Sequence, residues 1–303
     1  MNTIGVDIGG TKVKAGIIDQ AGRLLTHIEE ETNKQDLKTQ LLSVIECLLK
    51  QGPYEVHGIG IATAGRVNVE KGLIHYATSN LPGWTGTRVR ELVEERFGLP
   101  AVVDNDANLA AYAEMEIGSA TQDGNFILIT LGTGIGAGII INGMLHRGEN
   151  GGAGEIGHMV FMPGGRLCNC GKRGCWEQYV SGTALSMDIK EQGGLLKENI
   201  RPDELFKLAN ENHPIAVQIV DRYITNLAIG MVSLQNILGI DCFVIGGGVI
   251  NSSQYWWEQL LTNLNKVTDR PPLVRKAMLR NDAGMLGAAL MARKNAKDKR
   301  RGA

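Results

Sequence analysis

The chain has 303 residues, 43% hydrophobic and 21% charged, enough to bury one large or two medium cores. Its 31 Lys and Arg against 32 Asp and Glu offer no basic footprint for nucleic acid and no cationic face for a membrane, so a small neutral or modestly charged ligand is the expected partner. Met1 to Asp7 enters a strand pattern at once, and no run approaches the roughly 18 apolar residues that span a bilayer; no signal peptide or membrane span is expected, and cytoplasmic residence is the default.

Ile4 to Ile18 reads as strand, glycine turn, strand, and the turn at Gln20 to Arg23 leads to a third strand near Leu24 to Ile28, which makes an antiparallel meander. Apolar residues at helical spacing predict a helix over Leu37 to Lys50, followed by a short apolar strand within His57 to Ala64. A helix over Thr87 to Phe97, a strand at Ala101 to Val103 and a helix over Ala107 to Ile117 complete the first half. Phe126 to Ile140 then overlays Thr3 to Ile17 without a gap, strand, glycine turn and strand in register. Helices follow at about Ser181 to Gln192, Pro202 to Asn210 and Ala216 to Leu238, then the strand Cys242 to Ile245, two further helical stretches and a basic, frayed tail from Lys294. Two meander-plus-helix halves around a cleft are the economical architecture, with a hinge near Asn105 to Gly118.

Three glycine segments recur in this order. Asp7-Ile8-Gly9-Gly10-Thr11-Lys12 sets a carboxylate at a strand end and then residues that let a phosphate approach backbone N–H groups. Gly132-Thr133-Gly134-Ile135-Gly136 presents the same chemistry in the second half, so two facing hairpins suit one triphosphate, although each alone is also an ordinary hairpin turn. Neither is a Walker sequence or a dinucleotide fingerprint. Gly246-Gly247-Gly248 after a buried strand suits a nucleoside, or simply a tight strand-to-helix turn.

Asp104-Asn105-Asp106 stands where a helix begins, so one aspartate is expected to be its cap. The other, facing the cleft, suits proton abstraction from a hydroxyl that attacks a γ-phosphoryl group; Asp106 is the candidate base and Asn105 a hydroxyl grip. Phosphoryl transfer otherwise asks for positioning and for Mg²⁺ on the nucleotide oxygens. His158, Cys168, Cys170 and Cys175 fall within eighteen residues and suit a tetrahedral zinc with no open position, hence a structural one. That zinc would fix the loops carrying Glu155 and Glu177. In the Asn80 to Trp84 loop, Asn80 or Trp84 is suited to line a sugar pocket. Cys47 and Cys242 are isolated in apolar surroundings and read as small core residues.

Together these segments resemble the ROK family of sugar kinases and repressors, within the actin-like ATPase superfamily, over nearly the whole chain. The resemblance implies an α/β fold of the duplicated actin-like ATPase (ribonuclease H-like) type. It also implies a smaller N-terminal domain over 1–108 and a larger one over 109–303 that carries the zinc motif, with the final helix packing back on the first. By the same resemblance Asp106 is the general base, and Gly65, Asn80, Asn105, Glu155, His158 and Glu177 belong to the sugar site. Asp7, Gly9, Gly10, Thr11, Lys12, Gly132, Thr133, Gly134, Gly136, Gly246, Gly247 and Gly248 belong to the ATP site. Zinc on His158, Cys168, Cys170 and Cys175 and a homodimer are implied as well. His158 takes two tasks there, one ring nitrogen on metal and the other toward sugar.

Thr63-Ala64-Gly65 looks closer to N-acetylmannosamine kinase members, whereas the Asn80 to Trp84 loop is similar to the glucokinase pattern. The expectation is an ATP-dependent hexose 6-kinase, glucose first, with an N-acetylhexosamine behind it. A sugar-responsive repressor is disfavoured, because the first strand starts at Ile4 with no room ahead of it for a DNA-binding domain and no basic footprint accompanies it. A sugar-binding pseudo-kinase is disfavoured by the intact Asp106 and glycine hairpins.

Overall fold

The computed structural model describes residues 1–193, 196 and 200–301. In chain order the first half holds β1 (Asn2–Ile8), β2 (Lys12–Ile18), β3 (Leu24–Glu31), α1 (Leu37–Lys50), β4 (Val56–Thr63), β5 (Arg66–Asn68), β6 (Leu73–Tyr76), α2 (Val89–Phe97), β7 (Ala101–Asn105) and α3 (Asp106–Ile117). The second half holds β8 (Phe126–Leu131), β9 (Ile135–Ile141), β10 (Met144–Leu145), α4 (Glu177–Val180), α5 (Gly182–Glu191), α6 (Pro202–Asn210), α7 (Pro214–Leu238), β11 (Cys242–Gly246), α8 (Trp257–Val267), β12 (Leu273–Lys276) and α9 (Ala283–Arg301).

The two main sheets repeat one topology. The first has the order β3-β2-β1-β4-β7 and the second β10-β9-β8-β11-β12, each a three-stranded antiparallel meander extended by two parallel strands. This is the duplicated α/β architecture. The gapless overlay of the two hairpins nevertheless slips. Ile8 pairs with Val13 in the first hairpin, but Leu131 pairs with Ile135 in the second, so the second turn is one residue tighter and the register of β9 is offset by one.

The first core gathers Ile4, Val6, Ile59, Ile61 and Val103 from the sheet with Leu41, Ile45 and Leu48 of α1. The second gathers Ile127, Ile129 and Phe243 with the inner faces of α5 to α8 and with Trp176 and Trp256. α7 has the length and composition of a membrane-crossing helix, which the reading of apolar runs did not anticipate. It is a core helix here, 56% buried over its most apolar window.

Several expectations change. The segment 105–118, expected as a hinge, is largely α3, a continuous helix packed against β9 and α9. α9 also crosses β1 and β4 so closely that a methyl on Gly60 would stand 1.8 Å from the Ala288 carbonyl oxygen. The basic tail is helical through Arg301 rather than frayed, with Ala292 and Ala296 buried on its inner face, and its last two residues lie outside those described. The hairpin β5–β6, the short α4 and the edge strand β12 were not foreseen. Cys47 lies exposed on α1, not in a core, whereas Cys242 is buried.

Candidate active site

Asp7, next to last in β1, lies directly opposite Lys14. The turn that follows is closed by Gly9 N–H donating to the Lys12 carbonyl at 2.9 Å, and Thr32 holds it from β3's end through a 2.7 Å bond to the Gly9 carbonyl. Lys12 is ion-paired to Glu29, while Lys14 Nζ lies 3.1 Å from Asp282 and 3.6 Å from Glu29. Burial pushes the Asp7 carboxyl up to about 7, the negative charge of Asp106 adds to the shift, and Lys14 opposes it.

Asn105, not an aspartate, caps α3. Its Oδ1 accepts from Ala107 N at 2.9 Å and Asn108 N at 3.1 Å, and its Nδ2 donates to the Gly65 carbonyl at 2.9 Å. Asp106 is therefore freed from capping and occupies the first helical position, where its Oδ1 also accepts from Ala107 N at 2.8 Å. Burial raises its carboxyl above 3.8 against the Ala107 hydrogen bond, and the charge of Glu155 raises it further. Asp104, the other cap candidate, is instead a buried partner of Arg147.

Two adjoining cavities divide the predicted residues. A cleft of about 450 Å³ brings together Asp7, Gly9, Thr11, Lys12, Asp106 and Gly247. A second cavity of about 500 Å³ brings together Gly132, Thr133 and Gly248 beneath Thr183 of α5 and Phe206 of α6. Gly247 needs its glycine: at φ 84° any Cβ would stand 2.4 Å from the Leu131 carbonyl. Gly10 faces neither cavity but packs on the Asn80 side chain, and Gly136 and Gly246 pack on Ala107 and Ala277. Asn80 is exposed beside that first turn.

The zinc residues converge. The donor atoms of His158, Cys168, Cys170 and Cys175 all lie within 4.8 Å of one another. His158 Nδ1 is 3.6 Å from Cys168 Sγ, and Cys170 Sγ is 3.6 Å from Cys175 Sγ. A tetrahedron with Zn–S near 2.3 Å and Zn–N near 2.0 Å has edges of about 3.5–3.8 Å, so this donor set fits zinc. His158 turns Nδ1 to the sulfurs and Nε2 toward Glu155 Oε2, 3.7 Å away. Glu177 Oε2 accepts from Ile135 N at 2.9 Å and lies against Gly134, so the cysteine module also props the second glycine turn.

The ROK family profile matches residues 3–295. The chain belongs to the ROK family. Among ROK relatives, the glucokinase of Streptomyces coelicolor is 36% identical over 316 aligned positions, covering 96% of this chain and 97% of that one. The N-acetylmannosamine kinase of Vibrio cholerae is 34% identical over 297 positions, covering 95% and 98%. A crystal structure of a ROK family glucokinase from Streptomyces griseus in complex with glucose and AMPPNP superposes with a TM-score of 0.82 at 33% identity, covering 97% of this chain and all of that one.

In this ROK chain Trp84 does not line a sugar pocket. It is 1% exposed, with Nε1 donating to Thr63 Oγ1 at 2.9 Å in the first core. Sequence reading missed Lys14, Thr130, Arg280 and Gly284 in the first cavity and Thr183, Ser186 and Ser252 in the second. Only Gly182-Thr183 carried a local signal, as the start of α5 behind the Ser181 cap, whose hydroxyl accepts from Ala184 N. The others reach the site through strand pairing and helix packing.

Proposed function

We propose that this ROK sugar kinase transfers the γ-phosphoryl group of ATP to the 6-hydroxyl of a hexose, glucose first, in the cytoplasm. The observation that carries the reading is Asp106. Its carboxylate is released from capping by Asn105 and stands in one cleft with the glycine turn after Asp7, beside the nucleoside-sized cavity under Thr133 and Gly248.

In this reading adenosine takes the second cavity, with Gly246 shaping the strand end above it, and the phosphates run between the two glycine turns into the first. Gly134 and Gly136 keep the second turn close to its supports, and Gly9 to Lys12 receive the far phosphates. Asp7, whose carboxyl is crowded by Asp106, is the carboxylate on that side that would face the Mg²⁺ accompanying ATP, an ion that would neutralise phosphate charge when bound. The sugar sits at Gly65, Asn80, Asn105, Glu155, His158 and Glu177. Asn105 retains one amide N–H for a hydroxyl, since its oxygen and other N–H are engaged. Asp106 takes the proton as the 6-oxygen bonds to the γ-phosphorus; the bond from that phosphorus to the β–γ bridging oxygen breaks, and ADP leaves with its electron pair. Zinc, when bound, crosslinks the loops of Glu155 and Glu177 and leaves no open position for chemistry. The halves 1–108 and 109–303 are the bodies between which this cleft lies, with α9 returning to the first.

An N-acetylmannosamine kinase is the second reading, supported by the Vibrio cholerae relative. Glucose is preferred because Thr63, which carried the N-acetylmannosamine-like pattern, is 0% exposed and serves Trp84. A coupled ADP-release assay over hexoses and N-acetylhexosamines tests both. The highest kcat/KM is expected for glucose with the product phosphorylated at C6, and absence of sugar-dependent ADP release across the panel overturns the kinase assignment.

A further inference from the structure

Three cations line the first cavity: Lys12, Lys14 and Arg280. Lys12 is paired to Glu29, and Lys14 to Glu29 and Asp282, so much of their charge is spent within the protein. Arg280 differs. Among the residues whose side chains are described, the other arginines, from Arg23 to Arg293, each make an ion pair, a hydrogen bond or a cation–π contact. Arg280 has no such partner among them, although it is exposed at the edge of a cavity that also holds Asp7 and Asp106.

Its backbone is equally unusual. Arg280 has φ 50°, one of three described non-glycine residues with positive φ; the other two are asparagines, which tolerate that region better than arginine does. Glycine would hold the turn without strain, so the side chain is kept at a cost in backbone energy. The surroundings impose the conformation from both sides. Buried Glu114 of α3 accepts from Leu279 N at 2.7 Å, and the Asn281 carbonyl accepts from Lys14 Nζ at 3.0 Å. A strained residue persists where its neighbours over-determine it, and such residues cluster at functional sites.

We propose that Arg280 is a phosphate-binding residue of the cleft, its guanidinium forked onto the terminal phosphates of the nucleotide that the glycine turn after Asp7 receives. The proposal rests on the kinase reading for the identity of that phosphate. A guanidinium is always charged, presents paired N–H donors matched to phosphate oxygens, and meets the charge that phosphoryl transfer spreads over the γ-oxygens. Lys12, the cation that the sequence pattern assigns to phosphate, is held by Glu29; Arg280 is the cation left to serve.

Arg280→Gly separates the function from the strain, because glycine relieves the left-handed backbone while removing the guanidinium. The thermal midpoint of that variant is expected to equal or exceed wild type. Its affinity for inorganic triphosphate, measured by calorimetry at fixed salt, is expected to fall about 10- to 100-fold, the size of a lost charge-assisted bond pair. kcat/KM for ATP should fall at least as far, with the sugar KM within about twofold of wild type, and Arg280→Lys should recover part of the loss. Equal triphosphate binding by wild type and Arg280→Gly overturns the proposal, as does a wild type that binds no triphosphate. If wild type binds triphosphate through Arg280 yet phosphorylates no sugar, the proposal stands and the kinase reading falls.

Discussion

Arg147 Nε donates a 2.7 Å hydrogen bond to Asp104 Oδ2, joining the end of β7 in the first sheet to the segment after β10 in the second. The Asp104 side chain is 4% exposed, and its Oδ1 accepts from Asn105 N at 2.7 Å and Asn108 Nδ2 at 3.1 Å. It thereby braces the first turn of α3, on which Asp106 stands. The Arg147 carbonyl accepts from Ala153 N at 3.1 Å and closes the loop that leads to Glu155. One ion pair therefore ties the candidate base to the segment expected to hold sugar.

Arg147→Ala strands that buried carboxylate and is expected to lower unfolding free energy by about 3 kcal/mol, measured by urea titration. The Asp104→Asn, Arg147→Ala double variant should lose less than the sum of the single losses, because the second change removes the charge that the first left unpaired. Additive losses would show that the two groups do not interact.

Asp106→Asn is expected to lower turnover on the order of 10²- to 10⁴-fold while leaving sugar affinity largely intact. Only the ionised carboxylate accepts a proton, so wild-type activity is lost as pH falls through the Asp106 pKa, which burial raises above 3.8. The check is a pH profile of kcat/KM, whose acid limb should disappear in the residual activity of the variant. Retained full turnover refutes the role.

Asp7 links the cleft to stability. Its folded pKa is raised from 3.8 to about 7, so the contribution from holding its proton is complete below the unfolded value and is lost as pH rises through 7. Asp7→Asn should therefore raise the thermal midpoint of the ligand-free protein at pH 8, on the order of 2–4 °C, with the advantage shrinking toward pH 4. Thermal melts across that range test the sign, and the same variant should lose ATP turnover.

Cys170→Ser is expected to release zinc, measured as metal per chain by elemental analysis. Sugar affinity should weaken most, through Glu155 and His158. ATP affinity should weaken as well, to a smaller extent, because Glu177 holds the Ile135 N–H of the second glycine turn. A zinc-free wild type with full activity would sink this coupling.

What was readable in the chain was local. The glycine turns and the helix start at Asn105-Asp106 lie within a few residues of their partners, and the zinc-suited set from His158 to Cys175 lies within eighteen residues, so residue type and spacing suffice to pick them out. Failures followed the same logic. β12 is a four-residue edge strand, Leu273 to Lys276, with too little apolar alternation to declare itself, and β5 and β6 have three and four residues. The basic end of α9 looks like a tail until Ala292 and Ala296 are buried on its inner face. Trp84 looked like a ligand platform because an aromatic in a Pro-Gly loop gives no sign of which side it will turn to.

By itself, then, the sequence pointed to the duplicated α/β architecture through its repeated hairpin, to the ROK family through the resemblance of its motifs, and to a zinc-suited His158, Cys168, Cys170 and Cys175 set and Asp106 as the base to test through residue type at short spacing. Tertiary structure alone decided that Asn105 would cap α3 while gripping Gly65, that Thr63 would serve Trp84, and that Asp104 would answer to Arg147. It also decided that Lys12 would be neutralised by Glu29 while Arg280, 268 residues away in the chain, would stand in the same cleft without a partner among the described residues. Such pairings form only when two sheets and the helix crossing between them pack, and no spacing along the chain encodes which side chains that packing will bring within hydrogen-bond reach.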